Sequence, residues 1–182
     1  IFEPNYRHIV DAACNRMQMR VPLYEHIICT RIMERILGYK FEDLIHGDLD
    51  DKREFFLHYV RFFHKMGYDT VSFEQCIGPI MPGSGALLGE IPGVIKDRKD
   101  FMLYPWDDVP RLFFERYEDD FRALREALPE GMKCIGGPGN GVFECVQDVV
   151  GFTQLCYMKI DDPGLYRDLF HKVGDMMITI WQ

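Results

Sequence analysis

The sequence predicts an α/β fold, the N-terminal portion of a (β/α)8 barrel in which parallel strands are covered by helices. Three short β-prone segments alternate with amphipathic helical segments, which implies parallel pairing through crossover connections. The chain has 182 residues, and neither repeats nor a linker divide it, so we expect a single domain over 1–182. A complete barrel needs about 250 residues. With no initiator Met, the chain is expected to be a piece of a larger enzyme.

The first third of the chain predicts a helix, a strand and a helix. We expect the first helix over 4–17 and a short strand over 21–25, which polar residues bound. The next helix, over 27–37, has isoleucines at every fourth position and ends before Gly38, a residue typical of helix ends.

The middle of the chain repeats this alternation. A helix over 51–66 carries an aromatic stripe and ends at Gly67. The alternating, β-branched segment 69–74 predicts the second strand. Gly and Pro punctuate 77–100, where we expect a long functional loop.

The last third adds one strand between helices. Asp107 and Asp108 can cap a helix with an apolar face that stops at Pro129, and the third strand is expected over 132–136. Two further helical stretches follow, the last with Pro163 in its first turn.

Composition excludes several classes of protein. The chain has 29 Asp and Glu and 21 Lys and Arg. The resulting net charge of −8 argues against binding to nucleic acid or to an anionic membrane. No apolar run reaches the roughly 18 residues of a membrane span. The opening Ile1-Phe2-Glu3-Pro4 has neither a basic region nor an apolar run, so we expect no signal peptide. The six scattered cysteines are interpreted as reduced core thiols. We expect a cytoplasmic protein.

The candidate catalytic residues follow the predicted strands, because parallel α/β sheets place chemistry beyond the carboxyl ends of their strands. Glu25 and His26 stand at the end of the first strand, where one of the two can face the site and do acid–base work. Glu74 ends the second strand. The alternative is that these groups are solvated or cap the following segments.

A glycine run follows the third strand and suggests close approach of the backbone to a ligand. Gly136, Gly137, Gly139 and Asn140 are the candidate cofactor-binding residues. The run is neither a P-loop nor a dinucleotide fingerprint, because no Gly-Lys-Ser/Thr follows and Val142 replaces the last glycine. The six histidines form no zinc motif, so we expect no metal site within these residues.

Several segments together resemble the uroporphyrinogen decarboxylase superfamily. The motifs that carry the resemblance are Arg20 to His26, His58 to Asp69, Gly136 to Glu144, Val149 to Phe152, and Asp161-Asp162-Pro163. Members of this superfamily are TIM barrels, so the resemblance implies a partial barrel. It also implies one of two reactions: decarboxylation of uroporphyrinogen in tetrapyrrole biosynthesis, or cobamide-dependent transfer of a methyl group to a thiol.

Two departures favour the methyltransferase branch. The decarboxylases hold substrate carboxylates with an Arg-Gln-Ala-Gly-Arg loop, where this chain has Glu25-His26-Ile27-Ile28, and Glu74 stands in place of their essential aspartate. These acidic groups have the wrong sign for a polyanionic substrate. We therefore expect the N-terminal part of an enzyme that transfers a methyl group to a thiol or related acceptor.

The resemblance implies no cofactor within this chain, with corrinoid and zinc bound by the full-length parent. Its expected partners are a tetrapyrrole or a corrinoid protein and the remainder of its own barrel. Uroporphyrinogen decarboxylase is the alternative enzyme. The non-enzymatic alternative is an interaction module without catalysis.

Overall fold

The computed structural model describes residues 2–89 and 91–182, so Ile1 and Glu90, the latter inside the predicted loop over 77–100, lie outside the described residues. Helices make up 58% of the chain. The described ranges hold two sheets, each of two parallel strands. The predicted α/β fold, the N-terminal portion of a (β/α)8 TIM barrel, is therefore wrong.

The elements are numbered in chain order. The helices are α1 (Arg7–Ala13), α2 (Thr30–Leu37), α3 (Leu49–Lys65), α4 (Arg98–Leu103), α5 (Asp108–Ala127), α6 (Val142–Val150), α7 (Phe152–Asp161) and α8 (Pro163–Trp181). The strands are β1 (Thr70–Ser72), β2 (Gln75–Cys76), β3 (Lys133–Ile135) and β4 (Pro138–Gly139). Short 3-10 helices span Glu42–His46 and Gly78–Ile80.

The chain folds as two compact units. Unit 1 comprises Ile1–Glu74 and Tyr117–Gly136, and unit 2 comprises Gln75–Arg116 and Gly137–Gln182. In unit 1, β1 pairs in parallel with β3, with Val71 opposite Cys134. In unit 2, β2 pairs in parallel with β4. The single domain expected over 1–182 stays a prediction.

The core of unit 1 is built on α3. Asp48 caps this helix by accepting hydrogen bonds from the amides of Asp50 (2.9 Å) and Asp51 (3.1 Å), and the Asp51 side chain accepts one from the amide of Asp48. The aromatic stripe that predicted the helix is buried, with Phe56 and Phe63 fully so. They belong to the same apolar cluster as Val71 of β1.

The predicted strand over 21–25 does not form. Pro22 has no N–H to donate to a ladder, and Val21 is 82% exposed. The segment is held from its start instead: the Arg20 guanidinium pairs with the buried carboxylate of Asp69, which also accepts a hydrogen bond from the amide of Asn5 (2.6 Å). Two of the three predicted strands therefore form, as β1 and β3.

Unit 2 packs α6, α7 and α8 together. The apolar stripe of α8 is buried at Leu165, Leu169 and Val173, as its spacing predicts. Buried Asp148 of α6 accepts hydrogen bonds from the amides of Gly85 (2.8 Å) and Leu87 (2.9 Å), which orders part of the predicted loop. Across the described ranges, no helix has both the length and the apolar character needed to cross a bilayer.

A buried carboxylate orders the turn after α2. Glu34 is 3% exposed, and its Oε1 accepts hydrogen bonds from the amides of Phe41 (2.8 Å) and Glu42 (3.0 Å). Its Oε2 accepts one from Lys40 Nζ (2.7 Å). The Lys40 hydrogen bond, followed by the two amides, lowers the pKa of Glu34 from 4.5 to about 2. Glu34 thereby positions the 3-10 helix Glu42–His46.

We predict that Phe56→Ala lowers the free energy of unfolding by about 3–5 kcal/mol, because it leaves a cavity in the core of unit 1. The matched control is Leu57→Ala at the next position of α3, where the side chain is 58% exposed. This control should change the free energy by no more than about 0.5 kcal/mol. Denaturant unfolding followed by circular dichroism measures both, and equal effects would contradict the α3 core.

We also predict that Glu34→Gln lowers thermal stability at neutral pH and that this deficit shrinks in acid. Because the folded-state pKa lies below the ordinary value, the carboxylate stabilises the fold fully above pH 4.5 and progressively less as the pH falls toward 2. Melting temperatures of wild type and variant should converge over that window. The exposed Glu118→Gln is the control, and a deficit that is constant with pH would disprove the Glu34 anchor.

Candidate functional site

A cavity of about 300 Å³ lies within unit 1 at the carboxyl end of β1. Its apolar lining includes Ile28, Ile45, Phe55, Tyr59 and Phe73. Its polar lining is His26, Thr30, Glu42, His46, Ser72 and Glu74. The cavity has the makeup of a small-molecule site, with a few polar groups around an apolar floor.

The structure brings together two of the three predicted catalytic residues. Nδ1 of His26 lies 3.6 Å from Oε1 of Glu74, a contact that becomes an ion pair when the imidazole is protonated. His26 is mainly exposed at the mouth, whereas the Glu74 side chain is 28% exposed. Glu25 is exposed and does not line the cavity. The pair can therefore exchange a proton with a ligand at this mouth, and Glu25 is not part of it.

The position of the cavity at the end of β1 explains why Ser72 and Glu74 share this site. Ser72 is the last residue of β1, and Phe73 and Glu74 follow it directly, so three consecutive residues line the cavity. The strand end that predicted Glu74 is therefore also a signal for Ser72. Glu42 and His46 had no such signal, because they belong to a five-residue 3-10 helix placed by Glu34.

Two titratable groups beside the cavity stay protonated at neutral pH. Burial, with a smaller contribution from Cys134, raises the pKa of Tyr59 well above that of a free phenol, and its hydroxyl donates to the Ser72 carbonyl (2.8 Å). Burial is also the largest cause that raises the pKa of the Cys134 thiol to about 11. Neither group is a nucleophile at pH 7.

The glycine run serves the chain's own packing. A side chain at Gly136 would overlap the Phe73 carbonyl, and Gly137, with a φ of +150°, has no room for one beside the Trp181 ring. Gly139 is buried in β4, and the Asn140 side-chain oxygen accepts a hydrogen bond from the amide of Gly78 (3.3 Å). None of these predicted cofactor-binding residues lines the cavity of unit 1.

Neither zinc nor a corrinoid fits the residues present. Within 2–89 and 91–182, no three His, Cys, Asp or Glu side chains are grouped to hold a metal ion. A corrin ring is larger than a drug-sized ligand, and such ligands fill cavities of about 300–1,000 Å³. The cavity of unit 1 stands at the bottom of that range. Only a small reactant fits it.

We predict that four of the six thiols react quickly with a disulfide reagent at pH 8. Cys14, Cys29, Cys76 and Cys156 are exposed, in contrast to the core position expected from sequence. Burial is the main cause that raises the pKa of Cys134 to about 11 and of Cys145 to about 12, so both stay as unreactive thiols.

Spectrophotometric counting should give four fast thiols per chain and six after denaturation. Cys156→Ser should remove one fast thiol, and Cys145→Ser, its control, should remove none. Six fast thiols in the folded protein would contradict the burial of Cys134 and Cys145.

Comparison of the chain with protein-family models, with curated proteins and with solved structures finds no match. The superfamily resemblance therefore stands on its motifs alone. The functional argument depends on the geometry of the cavity and of the His26–Glu74 pair.

Proposed function

We propose that unit 1 binds a small reactant of an enzyme and that His26 and Glu74 move a proton to or from it. The observation that carries this proposal is the imidazole–carboxylate contact of 3.6 Å at a cavity lined by both apolar and polar side chains. In such a pair the imidazole accepts a proton from the ligand, and the carboxylate stabilises the imidazolium that forms. This division of roles is the one found in catalytic His–carboxylate pairs.

The reaction class that we propose is methyl transfer to a small acceptor. The superfamily resemblance supports this reaction class. The charge of the cavity also supports it, because the lining contains Glu42 and Glu74 but no Lys or Arg. These carboxylates would repel the acid arms of uroporphyrinogen. The acceptor loses its proton to His26 and its heteroatom forms a bond to the methyl group. The bond between the methyl group and a donor held outside the cavity breaks at the same time, and the donor keeps that electron pair. We propose the reducing cytoplasm as the compartment.

A second candidate is a non-catalytic interaction module. The observation that favours it is the apolar surface of the segment Met17–Ile27, in which Met17 and Met19 are each 97% exposed and Ile27 is 74% exposed. Surfaces of this kind are typical of contacts with another protein. An interaction module would not need the contact between His26 and Glu74.

We predict that the chain speeds methyl transfer to 2-mercaptoethanol from methylcobalamin, a donor that stays outside the cavity and presents its methyl group at the mouth. His26→Gln should lower the rate about 100-fold, the usual contribution of a general base. The loss of corrinoid absorbance at the methylated maximum follows the reaction. Glu74→Gln should lower the rate as well. Glu25→Gln is the matched control and should keep the wild-type rate, because Glu25 lies outside the cavity lining.

The same preparations are incubated with uroporphyrinogen, and release of carbon dioxide is measured. Decarboxylation without methyl transfer would reverse the ranking of the two enzymes. Absence of both reactions in the wild type would favour the interaction module. If His26→Gln leaves the rate of methyl transfer unchanged, the proposed proton transfer by His26 and Glu74 is wrong.

A further inference from the structure

We propose that the cavity of unit 1 selects an organic cation, an ammonium group that carries short apolar substituents. This inference rests on the proposed function, because it names the chemical class of the small reactant that the cavity takes. It depends on three features of the lining: its charge, its aromatic wall and a buried hydroxyl.

The fixed charges of the lining are negative. Glu74 and Glu42 both contribute carboxylates, and the lining contains no Lys or Arg. Arg31 Nε lies 3.4 Å from Glu42, and Lys40 also interacts electrostatically with this carboxylate. The Arg31–Glu42 pair is largely exposed, so it screens Glu42 only weakly. The Glu74 side chain is less exposed than that of Glu42 and contacts His26.

The wall of the cavity is aromatic. Phe55 and Tyr59 are nearly buried and stack with ring centroids 5.6 Å apart. The Phe73 ring meets Tyr59 edge to face at 6.0 Å. The faces of aromatic rings carry partial negative charge and attract alkylammonium groups, which also bury their apolar substituents against the rings. An aromatic wall beside a carboxylate is a combination suited to an organic cation.

The hydroxyl of Ser72 adds a neutral oxygen acceptor to the lining. Ser72 is 4% exposed and lines the cavity. A serine oxygen can turn its lone pairs toward a cation. A metal ion is a poorer fit, because no three ligating side chains are grouped in the described ranges.

The test compares three probes of one shape and different charge: tetramethylammonium, tert-butanol and pivalate. Each is titrated into the full chain at pH 8, where free imidazole is neutral, and amide NMR shifts of Thr30, Ser72 and Phe73 report binding at the cavity. We expect tetramethylammonium to bind at least tenfold more tightly than tert-butanol. Pivalate should bind more weakly than tert-butanol, because Glu74 repels its carboxylate.

Two variants assign the preference to the cavity. Glu74→Gln should reduce the tetramethylammonium to tert-butanol preference at least fivefold and leave tert-butanol affinity within twofold. Glu25→Gln removes the same charge one residue before His26 but outside the lining, and it should leave the preference unchanged.

Equal affinity for the cation and the neutral probe would overturn cation selection while leaving the small-molecule site in place. Equal loss of preference in the Glu25 and Glu74 variants would overturn it too, since net charge would then explain the effect. Absence of binding by all three probes would overturn this inference and the proposed site together.

Discussion

The packing of α3 against β1 is the constraint on which the rest of unit 1 depends. Val71 of β1 belongs to the aromatic core, and the residues that follow it, Ser72 to Glu74, line the cavity. The same helix supplies Phe55 and Tyr59 to the cavity wall, and the Tyr59 hydroxyl holds the carbonyl of Ser72. Core and site thus share one helix, and a substitution that shifts α3 changes both.

Buried carboxylates accept hydrogen bonds from backbone amides in the irregular segments of this chain. Glu34 binds the amide of Glu42 at the end of the turn after α2, and Asp148 binds the amide of Gly85. Each accepts hydrogen bonds from amides that no helix or strand would satisfy. Polar anchors of this kind explain how a chain with two short sheets still orders long irregular segments.

The sequence predicted helices well, since an amphipathic stripe of the length of α3 or α8 leaves few alternatives. Strand placement was weaker. The residues of β1 and β3 were predicted, but Pro22 should have argued against the first predicted strand, over 21–25. In the site, Glu74 follows β1 as predicted, whereas His26 was predicted from the end of the strand that does not form, and the catalytic role of both stays a prediction. Glu42 and His46 could not be predicted, because a tertiary hydrogen bond to Glu34 places them. The ligand role of the glycine run stays a prediction, and at Gly136 and Gly137 the chain's own atoms occupy the space of a side chain.

The ion pair of Arg20 with Asp69, a clamp between two distant parts of the chain, lowers the entropic cost of the contact between His26 and Glu74. His26 and Glu74 are 48 residues apart along the chain, and without the clamp their contact would close a loop of that length. The clamp lies six residues before His26 and five before Glu74, so it leaves a ring of about eleven residues to close. Since closure entropy grows with the logarithm of loop length, the clamp lowers the entropic cost of the contact by about 1 kcal/mol. A salt bridge outside the cavity thereby sets the effective concentration of the imidazole at the carboxylate.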